Sequence, residues 1–392
     1  MSHMNEPEPL LFVGVNEVRR GPDTLLYFSG CDYLRLARHP EVAAAMAATL
    51  QTHGLSVAAS RRTTGNHPLY AQLETALAAF FGTETAVVLP DSYFAPMAVA
   101  QALAGEFTQV FLDEFAHGAL RDAARMFACP TTSFRHQDAA DLARQLAKAG
   151  PRPIILTDGM FGHDGNVAPL RAYLKILPAR GRLLVDDAHG AGILGATGKG
   201  TVELAGVDRR RIIQCTTLSK AFGTYGGVVL ASPALRKIIL TRSRLFAGTT
   251  PLPLPLVGAG LQALTILQRE PGRRQRLQQN VATLRARLRD AGWTIAEPPG
   301  PIIRLPDLSA PQTRALKARF LAAGIYPPFL KYGPTSDRGF FRLVISSEHT
   351  PEHLDRAVEA MGRWQPELRS WHGKFKRGLD WQRVGKATPG KI

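Results

Sequence analysis

The feature that most constrains the fold is an alternation of short apolar runs with helical patterns, from about residue 83 to residue 230. The runs are continuously apolar and rich in β-branched residues, which is typical of strands buried on both faces of a parallel sheet. Ligands of such a sheet bind where the strands end and the loops begin. We predict strands at residues 85–89, 109–112, 153–156, 182–185, 211–214 and 227–230, with helices at 94–103 and 118–126.

A proline-rich stretch at residues 249–255 breaks this alternation and predicts a linker. It is followed by sequence that predicts helices at 257–268 and 273–291, a strand at 339–346 and a helix at 351–361. We therefore predict an N-terminal segment (1–48), a large α/β domain (49–250), a small α+β C-terminal domain (251–366) and a basic C-terminal tail (367–392).

The composition, 45% hydrophobic and 20% charged over 392 residues, is ordinary for a globular protein and excludes a disordered chain. Three cysteines without CxxC spacing exclude a disulfide scaffold and provide no zinc or redox motif. We expect a cytoplasmic enzyme, because no apolar run is long enough to span a bilayer and no signal-peptide pattern is evident. The first four residues, Met-Ser-His-Met, resemble a cloning remnant and are set aside.

The net charge is +16, from 48 basic and 32 acidic residues. Three interpretations are open: a solvated basic surface, attraction to an acidic small molecule or acidic carrier protein, and nucleic-acid binding. No nucleic-acid motif is present, and the basic residues are spread out apart from the tail and residues 273–276. We predict no nucleic-acid partner.

The strongest chemical signal is Lys220, which follows a predicted buried strand. Hydroxyl residues precede it and glycines follow it. Burial lowers the pKa of an amine, and a neutral amine can form a Schiff base with an aldehyde. In isolation, a surface lysine on a turn explains the pattern equally well.

A second signal combines Asp186, Asp187 and His189 directly after an apolar strand. A carboxylate there could keep a pyridine nitrogen protonated, which pyridoxal phosphate requires to act as an electron sink. The alternatives are a metal site and a helix cap formed by Asp187. Nothing nearby has metal-ligand spacing, so we predict no metal.

Two further segments stand before predicted helices. His117 follows a strand and could stack on an aromatic cofactor ring or simply cap the helix. Tyr93 and Phe94 stand at a helix start, where backbone N–H groups bind phosphate well. The alternative there is a helix capped by Asp91 or Ser92.

Together these segments resemble the α-oxoamine synthase family of pyridoxal-phosphate enzymes, which has the aspartate-aminotransferase-like fold (fold type I). The resemblance extends from about Tyr33 to Met361. It implies a mostly parallel seven-stranded sheet in the large domain, which binds pyridoxal 5'-phosphate, and a smaller α+β C-terminal domain. Besides the segments around Lys220 and His117, it is carried by Ser60-Arg61 with Gly65 and Leu73-Glu74, by residues 134–138, 158–170 and 186–200, and by Phe341-Arg342-Leu343 and His349.

The resemblance also implies roles for individual residues. Lys220 would bind the cofactor covalently and later move the substrate Cα proton. Arg342 would bind the amino acid carboxylate through a bidentate pair. Asp186 would contact the ring nitrogen of the cofactor, His189 its phenolic oxygen and His117 its ring face. Tyr93, Phe94 and Thr217 would hold the phosphate. The enzyme would be an obligate homodimer, in which Thr249 or Thr250 reaches the phosphate of the cofactor in the neighbouring subunit.

The implied reaction is a decarboxylating Claisen condensation of a small amino acid with an acyl thioester of coenzyme A or an acyl carrier protein. The product is an α-aminoketone, and the enzyme is a C-acyltransferase. We favour an 8-amino-7-oxononanoate synthase-like condensation of alanine with a pimeloyl thioester. Rivals are a glycine C-acetyltransferase, a serine-using or secondary-metabolite aminoketone synthase, an aldolase-type variant, and a cofactor-binding relative without turnover.

Four positions depart from the family pattern. Gly162 stands where serine is usual, His163 where methionine is usual, and Tyr70 where histidine is common. Phe329 replaces a threonine of a member that acts on a long dicarboxylic acyl chain. We expect these changes to lie around the substrate, so they affect the choice of substrate more than the cofactor chemistry.

Overall fold

The computed structural model describes residues 8–331 and 338–363 of the chain. The predicted basic tail and the apparent cloning remnant lie outside the described residues. None of the helices in the described part combines the length and apolarity that crossing a bilayer requires.

Helices and strands alternate along most of the chain. The strands are β1 (Leu11–Phe12), β2 (Glu17–Arg20), β3 (Asp23–Tyr27), β4 (Thr85–Leu89), β5 (Gln109–Asp113), β6 (Thr131–Phe134), β7 (Pro153–Asp158), β8 (Arg182–Asp186), β9 (Ile212–Thr217), β10 (Gly227–Ala231), β11 (Ile302–Arg304), β12 (Ile325–Tyr326), β13 (Phe329–Leu330) and β14 (Phe340–Val344). The helices are α1 (Pro40–His53), α2 (Pro68–Phe81), α3 (Phe94–Ala102), α4 (Gly118–Met126), α5 (Ala139–Leu146), α6 (Leu170–Ile176), α7 (Thr201–Ala205), α8 (Pro233–Arg242), α9 (Arg244–Gly248), α10 (Leu254–Arg269), α11 (Gly272–Asp290), α12 (Ala310–Ala322) and α13 (Pro351–Met361).

The central sheet has seven strands in the order β4-β10-β9-β8-β7-β5-β6. Only β10 runs against its neighbours β4 and β9; the other strands are parallel. The predicted mostly parallel sheet is therefore confirmed. The edge strand β6 was not predicted, because its Thr-Thr-Ser sequence is polar and partly exposed instead of continuously apolar.

The two faces of the sheet are covered by different helices. On β8, Leu184 packs into a core that includes residues of α3, α4 and α8. Its neighbours Leu183 and Val185 point the other way, into a core shared with α5 and α6. Because successive side chains of a strand face opposite sides, a strand covered on both faces must be apolar throughout. This explains the continuous apolar runs in the sequence.

The predicted linker at 249–255 is only partly correct. Residues 249–253 connect α9 to α10, but α10 already begins at Leu254. Pro255 lies in the first turn of this helix, where a missing backbone N–H costs nothing and the fixed φ favours the helix. The proline run therefore contributes the start of a helix as well as a connection.

The small C-terminal unit contains a three-stranded sheet, β11-β14-β13, together with α11, α12 and α13. A second sheet, β1-β2-β3-β12, joins it to the N-terminal segment. In that sheet Ile325 pairs in parallel with Leu26. The N-terminal segment thus pairs with the C-terminal part of the chain, and the predicted domain boundaries stay a prediction.

Candidate active site

Four polar side chains end four adjacent parallel strands of the central sheet. They are Asp113 on β5, Asp158 on β7, Asp186 on β8 and Thr217 on β9. Asp158 lies in register with Asp186, and all four side chains are buried. The predicted strands stopped short of these residues, but each strand continues through its terminal polar residue. The carboxyl edge of the sheet is therefore the candidate site, as the fold leads us to expect.

Lys220 lies in the loop directly after β9. Burial lowers the pKa of Lys220 from its ordinary value, and the electrostatic influence of Cys31 and Asp186 offsets this only in part. The loop turns at Gly223, which has φ +63° and whose added Cβ would lie 2.3 Å from the backbone nitrogen of Ala37. A glycine is therefore needed there, since the loop packs against residues 36–37 without room for a side chain.

The carboxyl groups of Asp158 and Asp186 interact electrostatically. Burial, together with the negative charge of Asp186, raises the pKa of Asp158 well above its ordinary value. Asp158 consequently takes up a proton more readily than an exposed carboxyl group, and the pair avoids holding two adjacent negative charges. Asp158 had no predicted role, although it follows an apolar run and begins one of the segments that carry the family resemblance.

His117 is the N-cap residue of α4. Its Nδ1 accepts a hydrogen bond from the backbone nitrogen of Ala119 at 3.2 Å, so the capping alternative is observed. Its own backbone nitrogen donates to Asp158 Oδ2 at 2.8 Å. Burial lowers the pKa of His117, which Asp186 works against and Lys220 reinforces. The imidazole is thus held beside these two charged groups in a neutral form with its hydrogen on Nε2.

His189 is oriented by Tyr33, whose hydroxyl lies 2.7 Å from its Nδ1. Burial lowers the pKa of His189 well below its ordinary value, and the charges of Lys220 and Arg342 act in the same direction. An added Cβ at Gly162 would lie 2.5 Å from Nε2 of His189. A side chain at position 162 therefore requires the imidazole of His189 to move.

Arg342 lies on β14 and is 9% exposed. One of its terminal nitrogens donates to the carbonyl oxygen of Gly162. Its Nε is buried and has no hydrogen-bond partner among the described residues. An unsatisfied buried guanidinium nitrogen is costly unless a ligand satisfies it, and a carboxylate is the partner it fits best.

The predicted phosphate donors are already engaged. The backbone nitrogen of Tyr93 donates to Asp91 Oδ1 at 2.7 Å, and that of Phe94 donates to the carbonyl oxygen of Asp91 at 3.2 Å. The hydroxyl of Thr217 lies 2.7 Å from that of Ser219, which the sequence analysis did not assign. A phosphate here must share these donors with their present partners.

Thr249 and Thr250 follow α9. The Thr249 hydroxyl donates to the carbonyl oxygen of Leu245 at 2.6 Å, whereas Thr250 is exposed. Their contact with a neighbouring subunit stays a prediction.

Asp187 has a structural role, but it is not the helix cap that the capping alternative predicted, since the N-cap residue of α7 is Gly200. Asp187 is fully buried, and its carboxylate accepts hydrogen bonds from the backbone nitrogen of Thr201 at 2.8 Å and from Gln214 Nε2 at 2.7 Å. It therefore anchors the start of α7. Among the described residues, the groups with metal-ligand spacing include neither Asp186 nor His189.

Tyr70 and Phe329 have packing contacts in this chain. The Tyr70 hydroxyl donates to the carbonyl oxygen of Leu252 at 2.7 Å, and the Arg61 guanidinium lies 4.6 Å from its ring centre. The ring of Phe329 lies 5.1 Å from that of Phe341 and carries the Lys317 ammonium 3.5 Å from its centre. Tyr70 is therefore buried in the hydrophobic core, and its expected place beside the substrate stays a prediction.

The side chains at this edge match the needs of pyridoxal phosphate: an amine of lowered pKa, a buried carboxylate, two neutral imidazoles and a pair of hydroxyls. The fold and the site together define a pyridoxal-phosphate enzyme of fold type I. In agreement, the sequence matches the aminotransferase class I and II family over residues 24–361.

The curated relatives of the chain belong to a smaller group of enzymes within this family. The chain is 36% identical to the 8-amino-7-oxononanoate synthase of Trichlorobacter lovleyi, over 89% of this chain and 90% of that protein. It is 37% identical to that of Thioalkalivibrio sulfidiphilus, over 86% and 88%. The chain belongs to the aminotransferase class I and II family, and within it to the α-oxoamine synthases, which are acyltransferases.

Solved structures have the same fold. The serine palmitoyltransferase of Sphingomonas wittichii has a TM-score of 0.85 at 25% identity and matches over 91% of each chain. The 8-amino-7-oxononanoate synthase of Francisella tularensis has a TM-score of 0.75 at 24% identity, over 86% of this chain and 96% of that one. The predicted fold class and family are confirmed.

Proposed function

We propose that this α-oxoamine synthase condenses alanine with a pimeloyl thioester, with loss of carbon dioxide, to form 8-amino-7-oxononanoate. The single observation that carries the substrate choice is the identity of 36% with a curated enzyme of that name along nearly the whole chain. A serine-using synthase is the second candidate, because the likeness to serine palmitoyltransferase extends over 91% of the chain.

The proposed cofactor is pyridoxal 5'-phosphate, bound to the Lys220 amine. When bound, it supplies an electron sink for the negative charge that develops at the substrate Cα. Asp186 would keep its ring nitrogen protonated, His189 would donate from Nε2 to its phenolic oxygen, and His117 would cover its ring. Thr217, Ser219 and the backbone nitrogens of Tyr93 and Phe94 would hold its phosphate.

The remaining steps depend on this chain's own groups. Arg342, whose Nε has no hydrogen-bond partner in the described part of the chain, would bind the amino acid carboxylate and so orient the Cα–H bond. The substrate amine would take the place of Lys220 on the cofactor, and the released Lys220 amine would accept the Cα proton. Its lowered pKa favours this, because more of the free amine is neutral at a given pH. The same ammonium group can return a proton to carbon after carbon dioxide has left.

A homodimer completes the proposal. Large apolar side chains are exposed along α1 and just after it, with Met46 41%, Leu50 47% and Leu55 65% exposed. Apolar side chains left uncovered together are typical of a protein interface. In the dimer, Thr249 or Thr250 would complete the phosphate site of the neighbouring subunit. A cytoplasmic location stays a prediction.

The positive charge of the chain supports an anionic acyl donor, either an acyl-coenzyme A or an acidic acyl carrier protein. If this attraction contributes, the KM for the acyl donor rises with ionic strength, because salt screens exposed charges. A salt-independent KM argues against an electrostatic contribution.

The test is a substrate panel on the purified holoenzyme. Alanine, glycine and serine are each combined with pimeloyl, acetyl and long-chain acyl thioesters, and release of free thiol and carbon dioxide is measured. We expect the highest kcat/KM for alanine with the pimeloyl thioester, and no release with Lys220→Ala. A preference for serine with a long-chain thioester would support the second candidate, and no turnover with any pair would overturn the proposal.

A further inference from the structure

We propose that His136, His163 and Asp164 form a site for a divalent transition-metal ion of the zinc class, beside the groups around Lys220. Their candidate ligand atoms all lie within 4.8 Å of one another. Nε2 of His163 lies 3.3 Å from Oδ2 of Asp164. Two ligands of a tetrahedral zinc ion, each about 2.0–2.1 Å from the metal, are about 3.3 Å apart. The sequence predicted no metal, because His136 is far from the other two residues along the chain.

The imidazole of His136 is oriented as a metal ligand requires. Its Nδ1 lies 2.8 Å from Oδ1 of Asp113, a fully buried carboxylate that also accepts hydrogen bonds from the backbone nitrogens of Phe115 and Gln137. In the neutral tautomer that donates from Nδ1 to this carboxylate, Nε2 presents its lone pair. A carboxylate behind the far nitrogen of a histidine is the usual support for a metal ligand.

The Nε2 atom of His136 is buried and has no hydrogen-bond partner among the described residues. Buried polar atoms are nearly always satisfied, so an orphaned one points to a ligand. His136 is also one of the three residues whose candidate ligand atoms lie within 4.8 Å of one another. A cation there would satisfy the lone pair directly.

The other ligands are also held in place. Asp164 accepts hydrogen bonds from the backbone nitrogen of Asn166 at 3.0 Å and from its Nδ2 at 2.6 Å. The side chains of the three proposed ligands are 16–18% exposed, so a small ion can reach them from solvent. Two imidazoles and one carboxylate form the ligand set of zinc sites that keep an open position.

Aromatic rings enclose this site. Phe161 meets His136 edge-on with ring centres 4.4 Å apart, and Phe115 meets His163 with centres 5.6 Å apart. Apolar walls strengthen the interaction between a cation and its ligands by excluding water. The site also adjoins the substrate region, since His163 directly follows Gly162, whose carbonyl oxygen accepts a hydrogen bond from Arg342.

The test measures zinc binding by the full-length holoenzyme after treatment with a chelator and desalting. We expect one zinc ion per chain after incubation with zinc chloride, measured by elemental mass spectrometry. His163→Met and Asp164→Asn should each weaken the affinity for zinc by roughly 10–100-fold or more. Cofactor absorbance and melting temperature establish that each variant is folded.

His39→Gln is the matched control, because His39, Glu41 and Glu270 form the other cluster with ligand spacing among the described residues. It should leave zinc binding unchanged. The proposal is wrong if the wild-type protein does not retain one zinc ion per chain. It is also wrong if His39→Gln loses zinc and His163→Met keeps it. If neither ligand variant folds, cobalt-loaded wild-type protein decides: visible bands of a nitrogen- and oxygen-ligated site support the proposal, and a fully hydrated cobalt spectrum contradicts it.

Discussion

The hydroxyl of Tyr33 lies 2.7 Å from Nδ1 of His189, although 156 residues separate them along the chain. Burial raises the pKa of Tyr33 and lowers that of His189, so both groups are neutral near pH 7. Tyr33 then donates, and His189 keeps its hydrogen on Nε2. This fixes the tautomer that can donate to the proposed cofactor.

Tyr33→Phe removes that hydrogen bond and leaves the tautomer unfixed. We expect kcat to fall about tenfold, the equivalent of one net hydrogen bond of about 1.4 kcal/mol, with normal cofactor content. Steady-state kinetics and cofactor absorbance measure the two quantities. Tyr326→Phe, on β12, is the control and should keep its activity; an unchanged kcat in Tyr33→Phe would show that His189 needs no such support.

Gly162→Ser introduces the residue that is usual in the family. Its Cβ would lie 2.5 Å from Nε2 of His189, so the imidazole must move. We expect kcat to fall roughly 10–100-fold, because small displacements of a positioned group are costly in rate. Gly248→Ser is the control, since an added Cβ there meets nothing within 4 Å. Equal activity in the two variants would mean that His189 tolerates displacement.

Asp158 and Asp186 should respond differently to the same change. Asp158→Asn imitates the protonated carboxyl group that its raised pKa favours, so we expect near-normal activity. Asp186→Asn removes the charge proposed to hold the ring nitrogen protonated, and we expect a loss of roughly 10–1000-fold in kcat. Comparing kcat of the two variants measures this contrast. A larger loss in Asp158→Asn would reverse the assignment of the two carboxyl groups.

The stability of the protein should fall as the solution becomes acidic. Burial lowers the pKa of His349 from 6.5 to about 3, and its Nδ1 accepts a hydrogen bond from the backbone nitrogen of Ser346 at 2.9 Å. Between these two pKa values the unfolded chain binds a proton that the folded chain does not. The free energy of unfolding therefore decreases as pH falls through this window, by up to about 1.4 kcal/mol per pH unit.

Urea denaturation at pH 7.5 and pH 5 measures this slope. We expect His349→Asn to be less stable at pH 7.5 but to lose less stability between the two pH values. His53→Asn, at an exposed histidine, should keep the wild-type slope. A slope in His349→Asn equal to that of the wild type would assign the acid sensitivity to other groups.

Local sequence patterns determined much of the fold. Helices α4 and α13 have the predicted bounds, because amphipathic periodicity and helix-start residues are local signals. The same holds for the position of Asp186 and Lys220 at the carboxyl edge of the sheet, since Asp186 follows an apolar run and Lys220 follows a predicted strand. The polar edge strand β6 had no such signal and was missed.

The family resemblance, carried by ordered motifs, was likewise available from the sequence and implied the cofactor and reaction class. The sequence predicted Tyr93 and Phe94 as phosphate donors, but not that Asp91 accepts hydrogen bonds from both backbone nitrogens, because these bonds form only with the turn before α3.

Only the tertiary structure brought Tyr33 to His189, set Asp158 beside Asp186 and placed His136 against His163. These pairs depend on which strands are neighbours and on how distant segments pack. The periodicity of a sequence reports the faces of single helices and strands, and it contains no information about which side chain from another segment will meet them.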